Sequence, residues 1–153
     1  MKKIVLSILF LFSYVSWTDE NPDELLDGLH RDAHEGNFQN YFARYTADAI
    51  FLGTDKTERW TIEEFKAYAE APFADGHGWT YEVLERNWEG SGNIRWFDEI
   101  VFNDRLGNCR GTGVVQLIQG EWKIAHYALT MLVPNVIAED VGLQTQKADK
   151  AQN

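Results

Sequence analysis

The sequence predicts an α+β fold, with three N-terminal helices packed on a curved, mainly antiparallel β-sheet. Three observations lead there. Apolar residues recur at helical spacing from Leu25 to Ala69, with two recognisable helix starts. From Trp79 the period changes to two and stays so to Val133. The strand-length runs after that point are separated by short turns, which makes them an antiparallel meander. Helices followed by strands is the α+β order, and helices on one face of a strongly bent sheet leave a cone-shaped hollow between the layers.

The first residues stand apart. Lys2 and Lys3 precede an almost wholly apolar run, Ile4 to Val15, and polar residues resume at Thr18, Asp19 and Glu20. A charged start, a short apolar stretch and a polar exit read as a secretory signal over residues 1–18, cut near Ser16 to Thr18. The run is shorter than the about 20 apolar residues a membrane span needs, although an uncleaved anchor is the alternative. The domain proper is then 19–135, exported to the periplasm or secreted, with no membrane span in the mature form. The tail, 136–153, holds no apolar side chain larger than alanine after Leu143, and its end reads as disordered.

Within the domain, Asn21-Pro22-Asp23-Glu24 opens the first helix: Asn21 suits the cap and Pro22 the first helical position. Leu25, Leu26, Leu29, His30 and Ala33 make its stripe. Gly36-Asn37 ends it, and Asn37 caps a short second helix with Phe38, Tyr41, Phe42 and Tyr45 on one face. Ala49 to Leu52 is a short strand that runs into a loop from Gly53 to Trp60. Thr61-Ile62-Glu63-Glu64 is a capping box, with Trp60 and Phe65 as its hydrophobic staple, so a third helix starts at Ile62 and stops near Pro72. Four strands follow, at roughly 79–88, 94–103, 109–119 and 121–133, the last two joined at Gly120-Glu121.

Composition narrows the partners. The net charge is −10 and no basic cluster interrupts it, which argues against nucleic acid. Nine Phe, six Tyr and six Trp can build a core and also wall a cavity for a small hydrophobic ligand. Cys109 is the only cysteine, so no internal disulfide forms. There is no Gly-rich phosphate loop, Cys-x-x-Cys pair or nucleophile elbow, and no cofactor is expected. Gly111 and Gly113, two apart in one strand, read as positions where the sheet bends.

Candidate site residues follow from strand alternation. Strand 94–103 sets Ile94, Trp96, Asp98, Ile100 and Phe102 against Arg95, Phe97, Glu99 and Val101. The first set is apolar except for Asp98, which reads either as a buried carboxylate held by hydrogen bonds or as a pocket acid or base, with Trp96 beside it. In the last strand, alternation groups His126 with Trp122, Ile124 and Ala128. His126 is either a satisfied core histidine or the partner of Asp98 in a proton-transferring pair. Arg110 either pairs with Asp98 or Glu99 or holds an anionic ligand group. Asp55, Glu58 and Trp60 precede a capped helix; they make turn, cap and staple contacts, or line the pocket mouth. His30 and His34 are four apart, but no HExxH or third histidine accompanies them, so no metal is expected. His30 alone falls on the apolar stripe and faces the hollow.

The stretches FLGTDKTERWT (51–61), WTYEV (79–83), RWFDE (95–99), CRGTGVV (109–115) and WKIAHYALT (122–130), with Pro134-Asn135 after them, carry a family resemblance. In this order of elements the chain resembles the NTF2-like superfamily over about residues 22–135, and SnoaL-like domain proteins within it. That superfamily includes ketosteroid isomerases, scytalone dehydratases and SnoaL-type polyketide cyclases. The resemblance implies a cone with its pocket between the helices and the concave sheet face, and a homodimer formed through the outer face. Taken with the leader-like start and the strand alternation, the reading is an exported domain that binds a small, largely apolar molecule, with isomerase- or lyase-type proton transfer by Asp98 or His126. The alternative is a non-catalytic ligand-binding or protein-interaction module of the same fold.

Overall fold

The computed structural model describes residues 22–151; the expected leader and the expected Asn21 cap lie outside the described residues. Helix α1, Pro22–His34, buries Leu25, Leu26, Leu29 and Ala33 along the expected stripe. Asp23 and Glu24 sit in its first turn, where the helix dipole favours negative charge. Helix α2, Phe38–Ala43, starts at Asn37, whose side chain accepts a hydrogen bond from the Asn40 N–H at 3.4 Å. Helix α3, Ile62–Ala74, carries the expected capping box: Thr61 Oγ1 accepts from Glu64 N, and Glu64 Oε2 accepts from Thr61 N at 2.8 Å. Trp60 lies parallel to Phe65 with ring centroids 5.6 Å apart, as the staple requires. Helix α3 runs two residues past Pro72 rather than stopping there.

Strand β1 is Tyr45–Leu52, longer than expected, and Arg59–Thr61 forms a strand, β2, where a loop was expected. The meander is β3 (Glu82–Ser91), β4 (Ile94–Asn103), β5 (Gly107–Ile118) and β6 (Glu121–Met131). The β5–β6 turn falls one residue early, at Gln119-Gly120, where both residues have positive φ, the geometry that matches strand twist in two-residue hairpins. The six strands form one sheet in the order β2-β1-β6-β5-β4-β3. Only β1 and β6 run parallel; every other pair is antiparallel.

Two of the features that bend this sheet bear on the site. Ala125 is an extra residue in β6, since Val114 pairs with His126 and Val115 with Ile124. Such a bulge sharpens the local twist. In β5, Gly111 and Gly113 face inward with no side chain, so large groups of β4 and β6 lean over them. The three N-terminal helices close over the concave face. The core gathers Leu26, Phe42, Phe65, Phe97, Val115 and Ile124 with their neighbours. Cys109 is fully buried, and burial pushes its thiol pKa up, so the thiol stays protonated.

The tail differs from expectation. Residues Ala138–Ala151 form a fourth helix, α4, after a short 3-10 turn at Asn135–Ile137. Its residues are mostly straight-chain helix formers, with Glu139 and Asp140 at the start and Lys150 in the last turn. None is buried; a Lys56–Asp149 ion pair of 2.7 Å ties its far end to the β1–β2 loop. No helix among the described residues is long and apolar enough to cross a membrane.

Candidate functional site

A cavity of about 670 Å³ opens between the helices and the concave sheet face, within the size range of small-molecule sites. Leu29, Tyr41, Phe51, Phe65 and Tyr127 form its buried floor. The walls are Trp60, Trp79 and Tyr81. Phe51 stacks on Phe65 with centroids 3.9 Å apart, and Trp60 stacks on Tyr68 at 4.5 Å. Glu82, Asp104, Arg105 and Tyr68 stand at the more exposed rim, and Glu58 is a half-buried member of the lining. The chain from Trp79 to Tyr81, expected to start a strand, is irregular here and lines the cavity.

Behind two of the lining residues, His30 and Tyr127, lies Glu99, which is fully buried and does not itself line the cavity. His30 Nε2 donates to its Oε1 at 2.9 Å, and the Tyr127 hydroxyl donates to the same oxygen at 2.8 Å. On the other oxygen, Arg86 Nε donates at 3.0 Å; Arg86 Nη2 lies 2.9 Å away, an ion-pair contact too poorly angled to count as a hydrogen bond. Arg86 in turn reaches Asp27 at 2.8 Å and Asp23 at 3.3 Å, while Trp88 Nε1 donates to Asp23 at 2.7 Å. Helix α1 and strands β3, β4 and β6 are thus clipped together by one charged network. A buried charge is tolerated when it is paired and hydrogen-bonded; both Glu99 oxygens are so engaged, while Arg86 Nη2 has only its ion-pair contact.

Electrostatics follow from that geometry. Burial on its own would raise the Glu99 pKa, but the His30 hydrogen bond, the charges of His30 and Arg86 and the Tyr127 hydroxyl outweigh it. Glu99 therefore sits below the ordinary carboxylate value and is ionised. Burial, then the Glu99 charge, pushes Tyr127 well above the ordinary phenol value, so it stays a donor. Tyr81 in the wall is raised to about 12, chiefly by burial. An ionised carboxylate only accepts, so His30 must carry its proton on Nε2. Nδ1 has no hydrogen-bond partner among the described residues. In its neutral form, His30 has here the arrangement of a general base whose carboxylate neighbour steadies the imidazolium formed on proton uptake.

The sequence-predicted residues divide. His30, Glu58 and Trp60 line the cavity. Asp55 does not: its carboxylate caps the loop by accepting from the N–H and hydroxyl of Thr57, at 2.8 and 2.6 Å. Asp98, Trp96, Arg110 and His126 all lie on the convex face, away from the cavity, which corrects the expected pair. Asp98 is half-buried beside Asn87 Nδ2 at 3.3 Å; Trp96 and Arg110 are exposed. Two physical reasons account for this. Strand β4 is apolar on both faces, and the less apolar one, Phe97, Glu99 and Val101, turns inward because Arg86 and His30 neutralise Glu99. In β6 the bulge at Ala125 reverses the alternation, so Tyr127 rather than His126 follows Ile124 inward. Glu99, Arg86 and Tyr127 were missed as site residues; the available signal was Glu99 lying in phase with Phe97 and Val101. His34 turns to Thr80 at 2.9 Å, so it and His30 serve separate partners.

Comparison with known proteins agrees with this architecture. Residues 23–134 match the model of a family described as SnoaL-like domain. The fold is similar to an NTF2-like protein of unknown function from Pseudomonas putida (TM-score 0.63, 12% identity, covering 74% of this chain and 85% of that one). It is also similar to a candidate ketosteroid isomerase from Shewanella frigidimarina (TM-score 0.60, 15% identity, 74% of this chain and 98% of that one). A third is an NTF2-like protein of unknown function in nutrient uptake from Rhodospirillum rubrum (TM-score 0.60, 13% identity, 74% and 100%). At these identities the likeness concerns the fold. No curated protein matches.

Proposed function

The chain belongs to the SnoaL-like domain family, and from that premise we propose that it binds a small, largely apolar molecule in the aromatic cavity and transfers a proton at His30. The observation that carries this reading is His30 on the cavity lining, hydrogen-bonded to the buried Glu99 behind it. His30 Nδ1 takes a proton from a weakly acidic C–H or O–H of the bound molecule, and the electrons of that bond stay on the substrate. Glu99 balances the imidazolium, while Tyr127 and Arg86 keep Glu99 ionised. Returning the proton to another atom is an isomerase outcome; expelling a leaving group is a lyase outcome. One observation favours the rival reading of a binding-only module. The Tyr127 hydroxyl already donates to Glu99, and the Tyr41 hydroxyl is engaged with Tyr45 at 3.1 Å, so neither is a ready donor for a developing oxyanion.

A ligand screen by native mass spectrometry and thermal shift, followed by turnover assays on each hit, tests the proposal. His30→Gln should lower turnover by about 10²–10⁴-fold while the ligand still binds. Asp98→Asn and His126→Gln, on the convex face, should behave like the parent. Absence of turnover on every bound compound would leave the binding-only reading.

Two further proposals concern the chain as a whole. Export rests on the leader-like residues 1–18; mass spectrometry of the protein from its native host should show a loss of about 16–20 residues, and an intact Met1 on a cytosolic protein would refute it. Homodimerisation rests on uncovered apolar groups on the convex face, chiefly Ile94 at 50% and Trp96 at 53% exposed. Sedimentation should report a dimer for the parent and a monomer for Trp96→Glu; a parent that stays monomeric at high concentration removes the idea.

A further inference from the structure

The chemistry of the cavity lining narrows the kind of molecule it takes. The fixed charges on the lining are the carboxylates Glu58, Glu82 and Asp104 and a single cation, Arg105. Glu82 and Asp104 make no ion pair or side-chain hydrogen bond among the described residues. Deeper in, the cation that meets Glu99, Arg86, is also shared with Asp23 and Asp27, so no positive charge is spare there. Between rim and floor stand the faces and edges of Trp60, Trp79 and Tyr81, with Tyr68 at the rim. Aromatic faces attract cations through their quadrupole, most of all where water is partly excluded. An acidic rim over aromatic walls therefore favours a positive group, and a carboxylate or phosphate ligand would meet net repulsion from the rim.

We propose that the cavity recognises an amine-bearing molecule: a flat apolar body seated on Phe51 and Phe65, and an ammonium group held at the mouth between the aromatic walls and Glu58, Glu82 and Asp104. This rests on the small-molecule reading of the cavity above and adds the ligand's charge class to it. It also separates the two ends of the site. The ammonium is bound at the rim, and the proton that His30 accepts comes from the apolar body at the inner end. The charged head thus sets orientation, and the chemistry lies at His30.

Three matched probes test the proposal on the full domain by isothermal titration calorimetry: a phenylbutyl-trimethylammonium ion, its neutral tert-butyl isostere and phenylhexanoate. The ammonium should bind about tenfold more tightly than the other two at low salt. Its advantage should shrink in about 0.5 M salt, because the rim charges are exposed to screening. In the double variant Glu82→Gln, Asp104→Asn the preference should fall to within about twofold. Binding of the neutral probe or the carboxylate as tightly as the ammonium would overturn the charge class and leave the pocket reading standing. Failure of all three to bind would overturn both. An ammonium preference that survives the double variant unchanged would overturn the rim's role in recognition.

Discussion

Replacing Glu99 by alanine should destabilise the protein by about 3–5 kcal/mol, measured by urea unfolding at neutral pH. The substitution does more than remove one carboxylate. It leaves Arg86, at 8% exposure, without its buried counter-ion, and strips the Nε2 partner of His30 and the acceptor of the Tyr127 hydroxyl. Each is a polar group held away from water, and orphaning it costs more than making the bond gained. Glu99→Gln should cost less, since an amide still accepts from one side. The pH dependence gives an independent reading. The folded carboxyl has a pKa below its ordinary value of 4.5, so the unfolded chain binds that proton more readily. The resulting stability is fully present above about pH 4.5 and drains away as pH falls through the lower, folded value. The acid limb of the stability curve should therefore be steeper in the parent than in Glu99→Gln. Coincident limbs would mean that Glu99 is not held ionised by its neighbours.

The second large effect is expected at Gly113. A Cβ there would run into the backbone carbonyl of His126 and the ring of Phe97. A flexible side chain could step aside, but the carbonyl belongs to the strand at its bulge and cannot move without disturbing the β5–β6 ladder. Gly113→Ala should cost about 1–3 kcal/mol, seen as a lower urea midpoint with an unchanged slope. Because Gly113 lies opposite Tyr127 and Phe97 in the register, the same variant should also lower ligand affinity. A variant as stable as the parent would show that this part of the sheet can flatten.

Much of the fold could be read from local chemistry. Thr61 and Glu64 form their capping box within four residues, and Asn37 caps α2 within three, so the sequence alone carries those signals. The switch of period at Trp79 located the meander. The site was less legible because its bonds are long in sequence: His30 and Glu99 are 69 residues apart, and Arg86 reaches Asp23 over 63. Nothing local tells which of the two carboxylates in Asp98-Glu99 turns inward when both faces of the strand are apolar. Residue counting chose the face with Ile94 and Trp96, whose apolar groups the single chain leaves uncovered. His30 was legible because it sits on a stripe whose other members, Leu26, Leu29 and Ala33, are unambiguously buried. Gly111 and Gly113 were legible as bends, but not as the space over which the Tyr127 hydroxyl reaches Glu99; a Cβ at Gly111 would meet that hydroxyl.

The extra residue in β6 also has a meaning for chain length. Ala125 is surplus to the pairing, since Ile124 and His126 face adjacent residues of β5 without it. A chain one residue shorter at that point would still send Trp122, Ile124 and Tyr127 inward and His126 outward, with the strand running straight. Such a shortened variant would keep every inward-facing group of β6 while losing part of the curvature, turning a question about side chains into one about the shape of the hollow they enclose.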